Sequence, residues 1–348
     1  MKFGIYGGSM IARFHAQAIQ AMEGSELTAV FARRQESADA LAEEFGCKAY
    51  SDEDLFFKES GIEIVTIATP SGAHLEPAQK AASAGVHIIC EKPLEVSLER
   101  VDQMIEAADR GGVTLAGIFN RRFNPATQAF KAAVDKKRFG NVALAGASIR
   151  WYREPDYYKT SNWKGTWRWD GGGALKNQGI HAIDLLLYLA GPVKRVSASS
   201  TRALHKGIKV EDTAVATLEF ESGARGIIEG STACWSENGN PAEVYINGDQ
   251  GSVVLSDDKF RQWSFREEES SNKSILEEYL IDPQVAAIGA NDPSAITPES
   301  HQYNFQDVVS AIEENRIPYV DGHEARKAIA LISAIYESAK NNGQPINL

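Results

Sequence analysis

At 348 residues the chain has interior enough for two domains and is too long for a small stapled scaffold. Apolar residues at 43% and charged residues at 24% are the proportions of a folded, water-soluble protein, and a net charge of -11 opposes binding to nucleic acid or to an anionic membrane. No apolar h-region follows the first residues, no apolar run approaches the ~18 residues of a membrane span, and Cys47, Cys90 and Cys234 are scattered and odd in number; the expectation is a cytoplasmic chain without disulfides or a thiolate zinc site.

Up to about residue 120, short β-branched runs alternate with helix-length segments. The predicted strands are Lys2–Tyr6, Leu27–Phe31, Ile64–Ala68, His87–Cys90 and Thr114–Phe119. Between them, Ile11–Met22, Glu36–Phe45, His74–Ala84 and Ser97–Arg110 are long enough for crossover helices, with Gly24, Gly46, Gly85 and Gly111 as stops. This alternation predicts an α/β doubly wound parallel sheet, a Rossmann domain over residues 1–122.

From about residue 140 the rhythm changes to longer strands separated by Gly, Asn and Asp turns, as in DTAVATLEFESGARGIIEGSTA and AEVYINGDQGSVVLS. One helix is predicted at about Ala174–Leu189, and another near the end carries Ala328, Ile329, Ile332, Ile335 and Tyr336 on one face. Residues 123–348 therefore read as an α+β domain with a large, mainly antiparallel open sheet. Glu267–Ser300, rich in Glu, Ser, Asn and Pro, is the predicted long excursion.

The first strand runs into Gly7-Gly8-Ser9-Met10-Ile11-Ala12, a G-x-S-x-x-A form of the dinucleotide fingerprint. A glycine turn feeding a helix N-terminus sets backbone N–H groups and the helix dipole against a pyrophosphate. At the end of the second strand, where a carboxylate would accept from the ribose of NAD, the chain reads Ala32-Arg33-Arg34. Two guanidiniums suit a 2′-phosphate, which favours NADP(H) over NAD(H).

Three further strings each follow a predicted strand: Ala68-Thr69-Pro70-Ser71-Gly72-Ala73-His74, Cys90-Glu91-Lys92-Pro93 and Asn120-Arg121-Arg122-Phe123. With the fingerprint, and in this order, they resemble the glucose-fructose oxidoreductase, inositol dehydrogenase and MocA family along nearly the whole chain. The resemblance implies a nicotinamide-dependent oxidoreductase of a secondary hydroxyl of a sugar or cyclitol. It implies Lys92 as catalytic lysine, and places Gly7, Ser9, Met10, Ile11, Arg33, Arg34, Thr69, Pro70, His74, Glu91, Lys92 and Asn120 at the cofactor. The chemistry of Lys92 agrees, since an ammonium at a sheet edge stabilises an alkoxide as hydride leaves.

In the second half, Gly171-Gly172-Gly173-Ala174-Leu175-Lys176-Asn177-Gln178-Gly179-Ile180-His181-Ala182-Ile183-Asp184 resembles the family's substrate helix. Asn177, His181 and Asp184 stand at i, i+4 and i+7, which predicts one shared helical face. His181 matches the family's acid/base histidine, and imidazole suits proton exchange near neutral pH. Asn177 stands where the polyol dehydrogenases carry an aspartate; an amide orients a hydroxyl or an imidazole and relays no charge. The Asn-Gln-x-x-His form is more similar to the branch acting on nucleotide-linked sugars, such as UDP-N-acetylglucosaminuronate 3-dehydrogenases.

Arg121 to Arg168 holds eleven basic and three acidic side chains, a local net of +8, and Trp151 to Trp169 holds seven aromatics whose faces suit a pyranose or a uracil ring. The expected substrate contacts are Lys92, Arg121, Arg122, Trp163, Trp167, Arg168, Asn177 and His181. No metal is expected, because His181 and Asp184 lack a third ligand on their face. Two alternatives stay open: a retained nicotinamide used for transient oxidation during elimination or epimerisation, and a non-catalytic NAD(P)-sensing regulator. Alternation in ALAGASIR and DTAVATLEF puts apolar residues on both sheet faces, so a homodimer or homotetramer through the C-terminal sheet is expected, the resemblance implying the same.

Overall fold

The computed structural model describes residues 1–281 and 299–348. They form two compact units. The first holds Met1–Asn120, Arg168–Gly171 and 299–326, and the second holds Arg121–Trp167, 172–281 and Lys327–Leu348. The first break falls at Asn120, two residues before the expected boundary, and the first unit takes back two later segments.

The first unit begins β1 (Lys2–Tyr6), α1 (Met10–Gln20), β2 (Glu26–Phe31), α2 (Gln35–Phe45), β3 (Lys48–Tyr50), α3 (Glu53–Glu59), β4 (Ile64–Ile67), α4 (Leu75–Ser83), β5 (His87–Cys90), α5 (Leu98–Gly111) and β6 (Leu115–Gly117). All strand pairs are parallel, in the order β3-β2-β1-β4-β5-β6. This is the doubly wound topology, with its switch point between β1 and β4. β4 is buried along its whole length, as a strand covered on both faces must be.

β3 and α3 are additions to the expected set. Their signal is present but short: Asp52 caps α3 by accepting from the N–H groups of Asp54 and Leu55. Gly46 closes α2 in the left-handed conformation, as expected. Gly111 does not close α5. Gly112 does, with φ +64°, while Gly111 lies inside the helix where a Cβ would meet the Ala82 carbonyl oxygen at 2.4 Å. That glycine lets α5 pack backbone to backbone on α4.

The second unit contains α6 (Pro125–Asp135), β7 (Val142–Arg150), a π-helical segment Ala174–Gly179, α7 (Ile180–Ala190), β8 (Val193–Thr201), β9 (Thr213–Phe220), β10 (Arg225–Ser231), β11 (Ala242–Gly248), β12 (Gly251–Ser256), β13 (Lys259–Phe265) and α8 (Ser271–Tyr279). Then follow α9 (Glu299–Glu313), which belongs to the first unit, α10 (Gly322–Lys340) and β14 (Ile346–Asn347). The sheet order is β13-β12-β11-β7-β10-β9-β8-β14, antiparallel except for β7 beside β10. The expected excursion at 267–300 contains α8 and the start of α9; its middle, 282–298, lies outside the described residues.

α9 returns to fill the first unit's core, where Phe305, Val308 and Val309 pack with Phe3, Ile19, Leu27 and Ile118. Among the described residues no helix is long and apolar enough to cross a membrane.

Candidate active site

The nucleotide corner follows from the first glycine. Gly7 has φ +141° and donates its N–H to Phe31 O at 2.9 Å, and a Cβ there would lie 2.6 Å from Ala68 O. Only glycine fits, and it turns the chain between the ends of β2 and β4. Ser9, the N-cap of α1, makes no capping bond; its hydroxyl donates to Ala68 O at 3.3 Å. No acidic residue stands in the first turn of α1, Ser9 and Met10 are exposed, and Ile11 is half-buried. The first amides of α1 are therefore arranged to receive an anion, which fits a dinucleotide pyrophosphate. Arg33 and Arg34 are exposed at the end of β2, and neither forms an ion pair with another of the described residues.

The loops after β4 and β5 are tied together by His74. Its Nδ1 faces Pro93 O and Leu94 O, each at 3.1 Å, and its Nε2 faces Thr69 O at 2.9 Å. The ring is fully buried and both nitrogens are engaged, so its side chain braces loops where cofactor contact was expected. Thr69 donates to Ala73 O, and Thr69 and Pro70 remain half-buried.

Lys92 follows β5 and is half-buried between buried Glu91 and buried Pro93. Glu91 turns inward. Its Oε2 accepts from the Lys92 N–H at 3.0 Å, and its Oε1 lies 3.1 Å from His15 Nε2 and 3.6 Å from His301 Nε2. Burial raises the Glu91 carboxyl, but hydrogen bonds from the two imidazoles outweigh it and hold the group well below the usual range. Burial lowers His15. Asn120 is buried too, its Nδ2 donating to Ser300 Oγ at 3.0 Å. His15 and His301 escaped the sequence reading; His15 lies one turn into the fingerprint helix, but nothing local marks His301.

In the second unit the expected single helix is two. Ala174–Gly179 is π-helical and Ile180 begins α7. Glu211 sets this geometry: its carboxylate accepts from the N–H groups of Gly173 at 2.9 Å and Leu175 at 3.0 Å and from the Tyr336 hydroxyl at 2.9 Å. A Cβ at Gly173 would lie 1.7 Å from Glu211 O. Burial pushes the Glu211 carboxyl up to about 7 against those donors. The neighbouring Asp212 accepts from the N–H groups of Ala203, Leu204 and His205. Two adjacent acids opening an apolar strand are the signal that could have found them.

The widened turn divides the expected face. From Ala174 to Leu186 only Asn177 and His181 are not buried. Asp184 points inward and clasps Arg122, with Nε to Oδ2 at 2.8 Å and Nη2 to Oδ1 at 2.6 Å, the guanidinium also lying over the Tyr188 ring. Arg122 is thereby an internal anchor, where a substrate contact was expected. Arg121 is half-buried, 3.7 Å from Asp257.

The expected basic excess is largely consumed locally. Lys136 and Arg138 pair with Glu269, Lys131 with Asp135 and Lys159 with Asp156, and Arg153 is buried beside Trp151 and Tyr157. Lys164 lies over the Tyr157 ring at 3.9 Å. Trp163 is half-buried; Trp167 is half exposed, its indole N–H donating to Lys209 O and its ring edge-on to Tyr336. Trp167 shares a cavity of about 570 Å³ with Arg202, Lys209, Glu211, Tyr336 and Lys340. Arg168 is exposed and falls in the first unit, where Trp169 O accepts from Gly72 N–H.

Residues 1–119 match the profile described as "Oxidoreductase family, NAD-binding Rossmann fold", and residues 131–348 match "Oxidoreductase family, C-terminal alpha/beta domain". The chain is 25% identical to inositol 2-dehydrogenase of Rhizobium meliloti, over 99% of this chain and 98% of that one. It is 27% identical to D-xylose 1-dehydrogenase (NADP(+)) 2 of Haloferax volcanii, over 98% of each. The crystal structure of the WlbA dehydrogenase from Bordetella pertussis, in complex with NADH and UDP-GlcNAcA, superposes with a TM-score of 0.87 at 29% identity, over 100% of this chain and 98% of that one. With both profiles matched in order, the chain belongs to the GFO/IDH/MocA family of oxidoreductases, acting on CH–OH groups through a nicotinamide-binding Rossmann domain joined to the family's C-terminal alpha/beta domain.

Proposed function

We propose that the chain interconverts a secondary hydroxyl and a ketone on a sugar nucleotide, with Lys92 and His181 as the catalytic pair. The observation that carries this reading is the surfacing of Asn177 and His181 alone from an otherwise buried stretch. A histidine and an amide held one turn apart by a packed segment are positioned to address one sugar hydroxyl. His181 takes the hydroxyl proton, and Asn177 orients the hydroxyl or the ring. The ammonium of Lys92 stabilises the developing alkoxide. Nicotinamide, when bound, supplies the hydride acceptor or donor.

The aromatic side chains Trp163 and Trp167 offer faces for the sugar or its base, and Arg121 and Arg168 offer charge to an anionic substituent. A sugar nucleotide is favoured by the Asn177-Gln178 spelling and by the likeness to a dehydrogenase solved with UDP-GlcNAcA. NADP(H) is the proposed cofactor, because Arg33 and Arg34 project at the end of β2 with no carboxylate there. The face of the C-terminal sheet that carries Leu144, Val215 and Ile227 is proposed as the homo-oligomer interface.

Two assays test this. Titration with NADPH and NADH, followed by energy transfer from tryptophan, is expected to favour NADPH, and Arg33→Ala to weaken NADPH alone; preference for NADH overturns the 2′-phosphate reading. Turnover is then measured on UDP-GlcNAcA, myo-inositol, D-xylose and glucose 6-phosphate by absorbance at 340 nm. Oxidation of UDP-GlcNAcA ahead of the others is expected, and full activity in Lys92→Ala overturns the catalytic pair.

A further inference from the structure

His15, Glu91 and His301 bring two ring nitrogens and a carboxylate oxygen within 4.8 Å of one another, all buried, from α1, the end of β5 and α9. By composition this is a metal-ligand set. The hydrogen atoms point elsewhere. Asn120 Nδ2, a donor, faces His301 Nδ1 at 3.4 Å, so Nδ1 accepts and the ring proton sits on Nε2, toward Glu91. A metal-ligating histidine shows the reverse, donating from its second nitrogen to an outer acceptor. His15 follows suit: Nε2 faces the ionised Glu91 at 3.1 Å and Nδ1 receives the Thr66 hydroxyl at 2.9 Å. Two imidazole N–H groups therefore face one carboxylate oxygen, that of His15 within hydrogen-bond distance and that of His301 at 3.6 Å, while the other oxygen receives the Lys92 N–H.

We propose that His15 and His301 are positioning residues for Lys92, bracing it through Glu91, with α9 as the outer support. The proposal rests on the catalytic reading of Lys92. The support reaches further along the same edge: Asn304 Oδ1 accepts from Phe119 N–H at 3.0 Å, and Ser300 and His301 receive the Asn120 amide. One turn of α9 thus fixes the ends of β5 and β6 together. Removing the His301 donor leaves Glu91 with one imidazole and loosens the backbone amide that sets where the Lys92 side chain starts.

The test needs no substrate in its first arm. Amide hydrogen exchange across residues 88–96 is compared in wild type, His301→Ala and His301→Gln, the last restoring an N–H donor near the Nε2 position. Exchange is expected to quicken by on the order of tenfold in His301→Ala, with β1 unchanged, and to return toward wild type in His301→Gln. In the second arm, on the panel compound oxidised fastest, kcat is expected to fall about tenfold in His301→Ala with KM and NADPH binding little changed. Combining His301→Ala with Lys92→Ala is expected to add no further loss. Wild-type exchange in His301→Ala, or additive losses in the double variant, overturns the brace. Full turnover in Lys92→Ala instead overturns the catalytic reading, and the exchange arm still decides whether α9 holds the backbone.

Discussion

Asp184 grips Arg122 with both carboxylate oxygens, at 2.8 and 2.6 Å, and both side chains are buried in the second unit. A buried pair of this kind is sensitive to losing one member, because the other is left as an uncompensated charge. Asp184→Asn is expected to lower stability by about 3–5 kcal/mol. The paired replacement Arg122→Met with Asp184→Leu is expected to cost less than Asp184→Asn alone. Urea denaturation of the three proteins checks the order.

Glu211 supplies a pH dependence with a definite sign. Its carboxyl titrates at about 7 when folded, against an ordinary value of 4.5. Between those values the folded chain holds a proton that the unfolded chain has released, so the contribution of this group to stability falls as pH rises. Below pH 4.5 both states are protonated; above 7 both are ionised and the deficit is constant. Melting temperatures of wild type and Glu211→Gln, measured from pH 5 to 8, are expected to show wild type losing ground to the variant across that window. Parallel curves would mean that Glu211 is ionised throughout.

Gly111 and Gly112 stand side by side and serve different ends. Gly112→Ala forces a side chain into the left-handed region and is expected to cost about 1 kcal/mol. Gly111→Ala drives a Cβ toward the Ala82 carbonyl oxygen at 2.4 Å, a backbone atom that moves only with its helix. The expected cost is larger, about 1–3 kcal/mol, and thermal unfolding of the two variants ranks them.

The sheet face of the second unit places Leu144, Ile227 and Val215 on β7, β10 and β9, three neighbouring strands, all nearly half exposed. Ile227→Glu introduces a charge at the middle of that stripe. Light scattering at micromolar concentration is expected to report an oligomer for the wild type and a smaller species for the variant. A monomeric wild type contradicts the proposed interface.

The parallel sheet, short β3 apart, was legible because its signals are local: β-branched runs of four to six residues and the fingerprint turn declare themselves within a few positions. The π-helical start of the substrate segment was not, because the group that receives its first amides, Glu211, is distant from them in sequence. For the same reason the spacing of Asn177, His181 and Asp184 predicted one face where the structure makes two: a period of 3.6 holds only within an α-helix. His301 lies 210 residues from Glu91 in sequence, and only tertiary structure brings them together.

The return of α9 has a consequence for synthesis. Phe305 stacks on Phe3 and meets His15 edge-on, so the core beneath the nucleotide turn is completed by a helix that leaves the ribosome long after Asn120. At about 5–20 residues per second, the first six strands wait on the order of ten seconds or more for it. During that interval the face of α1 that packs on α9 lacks its cover. A chain stopped at residue 120 would keep every residue of the fingerprint and still lack the helix that completes the fold around it.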